Sequence, residues 1–383
     1  MRFELAAAAV DLRQEIRATL TAEWAPGRLG YRRKESDDVY SEMKSFRQRI
    51  ARHGWFGFGI PEAYGGRGGS LEERYVVAAE FAYFAAPYPK IAMNMIAPML
   101  LRNGSEEMKA KYLPRVATGD LEFAQAYSEP DAGSDLASLR TAASYEDGSY
   151  VINGQKLYSS LFHRSEFCVV AVRTDASSPK HRGISLLIVD VETPGIEVRP
   201  LWAMGDLRTN VVFFDNVVVP AENLVGQLNA GWDYIRTTLG FERLTAFSIN
   251  EIRALFDDLM DYLLASGLES DPVVQMSMAQ FATEMEVLDT LTLRALWTLE
   301  KEGQITYEGN QLKVIASELK QRIGHGGLQL IGHAAQATDA MAPLEGALMR
   351  SCEAALMHSF GGGANEIQRD IIANRGLGLG RTR

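Results

Sequence analysis

The decapeptide Ala126-Tyr127-Ser128-Glu129-Pro130-Asp131-Ala132-Gly133-Ser134-Asp135 crowds two hydroxyls, three carboxylates and a phenol into one short stretch. Pro130 fixes its own φ and lacks an N–H, and Gly133 tolerates positive φ, so the stretch reads as an irregular turn. Such a turn can cap the next element with its own side chains, or present hydroxyls and N–H groups to a polar ligand. Other chemistries find little support. No G-x-G-x-x-G follows a strand and opens a helix, and neither a P-loop nor a G-x-S-x-G elbow is present. Gly376-Leu377-Gly378-Leu379-Gly380 reads as a terminal tail. The six histidines (53, 163, 181, 325, 333, 358) show no metal-ligand spacing, so no metal is expected.

The elements that must hold this turn change character along the chain. Residues 8–120 read as helical, with Ile16, Leu20 and Trp24, then Tyr40, Met43, Phe46 and Ile50, recurring at helical spacing. Ser70 and Glu73 predict a capping box opening a helix that runs to about Phe84. From 121 to about 227, turn pairs punctuate runs of β-formers. Asn153-Gly154 predicts a hairpin between 150–152 and 156–158. Buried strands are expected at 167–172 and 184–189, and a further pair at 211–214 and 217–219. Helical periodicity returns from Gly231 to about Ala373. The expected fold class is α+β, with a helical domain over 1–120, a β-barrel or sandwich domain over 121–230, and a helical bundle over 231–383.

The chain has 383 residues, enough for two or three packed units. Its net charge of −10 argues against a general nucleic-acid surface. Cys168 and Cys352 stand far apart with no C-x-x-C, which fits a reducing compartment. Early acidic residues (Glu4, Asp11, Glu15) argue against a signal peptide, and no span predicts a membrane helix. A cytoplasmic protein is expected.

Several separated segments together resemble the acyl-CoA dehydrogenases. They are the turn above, Asn153-Gly154-Gln155-Lys156 leading into Tyr158-Ser159-Ser160, the run Val219 to Gly226, Gly231-Trp232, and the tail Glu366 to Ala373. The resemblance spans nearly the whole chain and implies a helical domain, a β-barrel or sandwich domain and a four-helix bundle that bind FAD without a Rossmann motif. It implies that Gln125, Tyr127 and Ser128 lie along the flavin, with Ser134 at its phosphate and the acyl-CoA. Tyr158 and Ser160 fall on a second flavin-contacting strand, where Trp and Thr are usual. Gln329 and Gly332 match a segment that reaches a neighbouring subunit's FAD, which implies a homotetramer or a hetero-oligomer with a related subunit. Ala364 and Glu366 fall at cofactor positions, Ala364 where Thr is usual. Two further departures are His333 in place of a glycine and the absence of an R-x-x-F-G run around 262–275.

Dehydrogenation of an acyl thioester needs a desolvated carboxylate to take the α-proton. Many members place it at the position that is Gly362 here, and glycine cannot accept a proton. Isovaleryl-type and long-chain-type members use a Glu before an Arg on the helix after the β-domain, which corresponds to Glu242-Arg243. A Glu-Arg pair on a helix is ordinarily a solvated face; the resemblance makes Glu242 the candidate base. Arg243, Gly362, Gly363 and Ser134 become candidate substrate contacts, Gly362 offering room and an N–H to the thioester carbonyl. The implied reaction converts an acyl-CoA, branched or bulky, to its trans-2-enoyl-CoA, with electrons passed to an electron-transfer flavoprotein. The alternatives are a non-catalytic or partly catalytic partner subunit, or a flavin enzyme of this fold with other chemistry.

Overall fold

The computed structural model describes residues 3–24, 37–246, 249–339 and 341–380. Positions 25–36 of the expected helical stretch, and the side chain of Phe241, lie outside the described residues.

Five helices come first: α1 (Ala7–Glu23), α2 (Asp37–Ile50), α3 (Leu71–Tyr83), α4 (Ala97–Asn103) and α5 (Glu106–Ala117). Of the residues recurring at helical spacing, Ile16, Leu20, Trp24, Phe46 and Ile50 are buried, while Tyr40 and Met43 are half-buried. The capping box is formed: Glu73 N donates to Ser70 Oγ at 3.1 Å, and Ser70 N donates to the Glu73 carboxylate at 2.7 Å. Ahead of α4 the chain makes a buried π-helical turn, Ala92–Ile96, a deviation that frequently accompanies functional sites.

Seven strands follow: β1 (Phe123–Ala126), β2 (Ala142–Glu146), β3 (Ser149–Lys156), β4 (Phe167–Arg173), β5 (Ile184–Asp190), β6 (Ile196–Ala203) and β7 (Leu207–Pro220). They form one curled mixed sheet in the order β1-β4-β2-β3-β7-β6, with β5 on β4. The apolar runs at 167–172 and 184–189 pair antiparallel as β4 and β5, buried along almost their full length.

The hairpin expected at Asn153-Gly154 is not there. β3 runs straight through those residues, and the reversal is at Asp147-Gly148 between β2 and β3. Likewise 211–214 and 217–219 belong to the single strand β7 rather than to a pair. Asn153-Gly154 on β3 and Asp215-Asn216 on β7, both turn-forming in residue type, face one another at a bulge. Asn153 Oδ1 accepts from Asn216 N at 2.8 Å, and the register shifts between Ile152 and Gly154. A Cβ on Gly154 would stand 2.6 Å from Thr141 Oγ1, so glycine serves close strand approach and not a turn.

The last part contains α6 (Gly231–Ala246), α7 (Ile249–Ala265), α8 (Pro272–Glu302), α9 (Glu308–Ile331), α10 (Ala347–His358) and α11 (Asn365–Ile371). Helices α7, α8 and α10 pack around α9 on a core that includes Leu255, Leu259, Phe281, Leu319, Ile323 and Leu348. Helix α6 touches the π-turn and α4 of the first part, β5 of the sheet, and α9 of the bundle. The three parts therefore meet on the helix that carries Glu242.

Candidate active site

The turn after β1 folds onto itself: Glu129 and Ala132 exchange both backbone hydrogen bonds at 3.1 Å. Its anchor is a lysine. Lys156 is fully buried at the inward-facing end of β3, and its Nζ donates to Glu129 Oε1 at 2.8 Å and to Tyr127 O at 3.0 Å. The Glu129 carboxylate also accepts from Arg140 N (2.7 Å) and Thr141 N (2.9 Å). Burial works to raise the Glu129 pKa, but Lys156 and these hydrogen bonds outweigh it and hold the group below the usual carboxylate range. Sequence reading missed this pair. Its one local signal is the lysine's parity with the inward-facing Tyr150 and Ile152.

Pinned this way, the turn lies beside the second expected flavin segment. Leu157 N donates to Ser128 O at 2.8 Å, so Tyr127–Ser128 and Tyr158–Ser160 form one wall. Tyr158 adopts φ +59 and stays 62% exposed. Ser134 and Ser160 are also exposed, and Ser128 is half-buried. Three buried polar atoms of this wall, Gln125 Oε1, Tyr127 Oη and Ser159 Oγ, find no hydrogen-bond partner among the described residues. Native proteins rarely leave such groups unsatisfied, so the wall has the character of a half-built polar site. Acceptor, phenol and hydroxyls along one face suit an isoalloxazine ring, whose edge alternates carbonyls with an N–H. The residues present fit FAD.

Glu242 lies on α6 and is half-buried. Burial raises its pKa above the carboxylate value, and Arg243 and Lys90 pull it part of the way back. The buried Tyr127 hydroxyl is pushed up by burial and also by the charge of Glu242, so the phenol and the carboxylate lie within electrostatic reach of one another. Arg243 Nη2 donates to Gly362 O at 3.2 Å and ties α6 to the glycine turn between α10 and α11. Glycines also let α6 approach α9: a Cβ on Gly309 would stand 3.3 Å from both Gly240 O and Arg243 Cβ.

Gly362 and Gly363 adopt φ +66 and +97. A Cβ on Gly363 would collide with the amide nitrogen of Gln368, which is fully buried and receives Asn310 Nδ2 at its Oε1. Gly363→Ala is therefore expected to lower stability by about 1–3 kcal/mol through backbone strain and displacement of Gln368. Chemical denaturation measures it, and an unchanged midpoint would show that the turn relaxes freely.

The fold thus sets Tyr127 and Ser128 beside the strand end that leads into Tyr158, brings Glu242 within electrostatic reach of Tyr127, and ties Arg243 to Gly362. Ala364 is the N-cap of α11, and Glu366 is exposed in its first turn. Gln329 and Gly332 are elsewhere. Gln329 is exposed near the far end of α9, about 24 Å along the helix from Lys313, at a rise of about 1.5 Å per residue. Among the described residues no cluster could hold a metal ion, and no helix is long and apolar enough to cross a membrane.

Comparison with known proteins agrees with this fold. The acyl-CoA dehydrogenase N-terminal, middle and C-terminal domain families match residues 7–120, 124–217 and 229–377. Acyl-CoA dehydrogenase FadE26 of Mycobacterium tuberculosis is 34% identical, with 97% of each chain covered. Acyl-CoA dehydrogenase FadE29 of the same organism is 32% identical over 87% of this chain and 88% of its own. Two solved structures cover both chains completely: the steroid acyl-CoA dehydrogenase Tcur3481-Tcur3483, with TM-score 0.92 at 30% identity, and the ChsE4-ChsE5 complex from Mycobacterium tuberculosis, with TM-score 0.88 at 33%. Family models matching almost the whole chain and relatives similar along nearly its full length make this chain a member of the acyl-CoA dehydrogenases, the FAD-dependent oxidoreductases of acyl thioesters.

Proposed function

We propose that this chain dehydrogenates the CoA thioester of a bulky acyl group, with Glu242 as the base. The observation that carries this reading is the hydrogen bond from Arg243, next to Glu242 on α6, to Gly362 of the glycine turn, with Glu242 within electrostatic reach of the buried Tyr127 phenol. Glu242, its pKa raised by burial, takes the proton from Cα. The thioester carbonyl is held at the Gly362 N–H, which stabilises negative charge developing on its oxygen. FAD, when bound along Gln125, Tyr127, Ser128, Ser134, Tyr158 and Ser160, supplies the acceptor for the hydride that leaves Cβ. The Cα–Cβ double bond forms as proton and hydride depart from opposite faces. Electrons then pass to an electron-transfer flavoprotein.

Two features favour a bulky acyl group. Gly362 leaves open the space that a carboxylate side chain fills in other members, and a similar structure is described as a steroid dehydrogenase. A second chain belongs in the assembly, because the family resemblance implies that Gln329 and Gly332 reach a neighbouring subunit's FAD. Similar structures contain two different subunits, which favours a related partner over an identical copy.

The test is anaerobic addition of a panel of acyl-CoAs, linear, branched and polycyclic, to the FAD-loaded protein. Bleaching of the flavin band by the bulky thioesters is expected. A yellow protein that no acyl-CoA bleaches would overturn the reading.

A further inference from the structure

Gly361, Gly362 and Gly363 present an N–H to the thioester carbonyl on a stretch with no side chains of its own to hold it. Glycine loses more conformational freedom on ordering than any other residue, and the direction of each N–H turns with the φ and ψ around it. A donor that stabilises developing charge must nevertheless be fixed before the reaction. Gly362 is exposed, and among the described residues neither its N–H nor that of Gly363 donates a hydrogen bond within the protein. The turn is therefore shaped at its two ends and by contacts from outside.

Its neck is closed twice. Asn365 N donates to Ser359 O at 2.8 Å, which makes a loop of residues 359–365. Lys313, fully buried on α9, reaches the same place: its Nζ donates to Ser359 O at 2.9 Å and to Asn365 Oδ1 at 2.6 Å. One ammonium thus grips the residue that follows α10 and the first residue of α11 together. Buried Asn365 is held in turn, its Nδ2 donating to Ser317 Oγ at 3.0 Å. From the same helix Asn310 Nδ2 donates to Gln368 Oε1 at 2.5 Å, and the Gln368 amide lies against Gly363. Asn310, Lys313 and Ser317 stand at i, i+3 and i+7, so one face of α9 carries a buried polar stripe under the turn. A helix packed in a bundle gains more from apolar side chains on such a face, because a buried ammonium must recover its lost hydration through hydrogen bonds.

We propose that Lys313 is a positioning residue for the dehydrogenation: it clamps the neck of the glycine turn and so aims the Gly362 N–H at the thioester carbonyl. Fully buried, it acts through the backbone and not by contact with the substrate. This rests on the reading of Gly362 N–H as the donor to that carbonyl.

The test adds 4-(dimethylamino)cinnamoyl-CoA, whose absorption moves to longer wavelength as its thioester carbonyl is polarised, to the FAD-loaded protein. The wild type is expected to shift the band to the red. Lys313→Met is expected to lose at least half of that shift. Its first-order flavin reduction by saturating acyl-CoA should fall about tenfold or more, less than on outright loss of such a donor, with FAD content and acyl-CoA Kd within about threefold of wild type. Asn365→Ala, which leaves Lys313 on Ser359 O, is expected to give an intermediate shift, and it carries the test if Lys313→Met does not fold. Either variant that holds FAD and keeps the full shift overturns the proposal, even if its melting temperature falls, because the lysine then only stabilises the fold. Hydrogen exchange in the unaltered FAD-loaded protein needs no variant: the peptide spanning 359–368 should contain a protected amide before any thioester is added. Exchange there at the rate of an open chain overturns the clamp. A wild-type complex that shows no red shift marks the failure of the underlying Gly362 reading instead, and this inference falls with it.

Discussion

Glu242→Gln is expected to leave a folded, yellow protein whose flavin is reduced by acyl-CoA at least about a thousandfold more slowly than in the wild type. The substitution is nearly isosteric, so the packing of α6 and the Arg243–Gly362 tie are retained while the proton acceptor is lost. Removing a general base typically lowers the rate by about 10²–10⁴, and no carboxylate stands at Gly362 to substitute. The pH dependence follows from the direction of the shift. Burial raises the Glu242 pKa above 4.5, and the base works only when ionised. The wild-type reduction rate should therefore climb with pH through that raised pKa and level off above it. In Glu242→Gln this limb should vanish. Stopped-flow reduction across pH measures both effects, and a variant that bleaches at the wild-type rate would remove Glu242 from the mechanism.

Lys156→Met should give the largest loss of stability. Lys156 is fully buried and Glu129 nearly so, and the lysine also satisfies the Tyr127 carbonyl. Deleting one member of a buried pair strands the other charge, at a cost of about 3–5 kcal/mol. The pair lies directly beneath Tyr127 and Ser128, so retention of FAD should fall as well. Combining it with Glu129→Gln should recover part of the stability, because a neutral amide is less costly to leave without the ammonium. Denaturant midpoints and bound-flavin ratios would show this. An unchanged midpoint for Lys156→Met would mean that the pair adds nothing net.

Much of the fold was legible locally. The strands β4 and β5 announced themselves as unbroken runs of β-formers because both their faces are covered. The helix α3 announced its start through Ser70 and Glu73, whose hydrogen bonds span three residues. Asn153-Gly154 misled for a physical reason. A dipeptide's preference for a turn amounts to a modest energy, and pairing along a continuous β3 with Asn216 opposite outweighs it. Glu242 was legible only through resemblance to a family. Its own neighbours in sequence, an Arg and an apolar helix face, would equally describe a solvated surface.

The sequence alone determined the element types, the positions of the turns bearing hydroxyls and glycines, and the vacancy of a carboxylate at Gly362. Those depend on interactions that reach a few residues along the chain. Only the tertiary structure decided that Lys156 anchors the 126–135 turn, that Arg243 fastens the glycine turn, and that Lys320 pairs with Glu251. These groups come from different helices, strands and turns, spread from position 126 to 362. Burial and the electric field of distant partners set the chemistry of an ionisable group, and both arise from packing rather than from order in the chain.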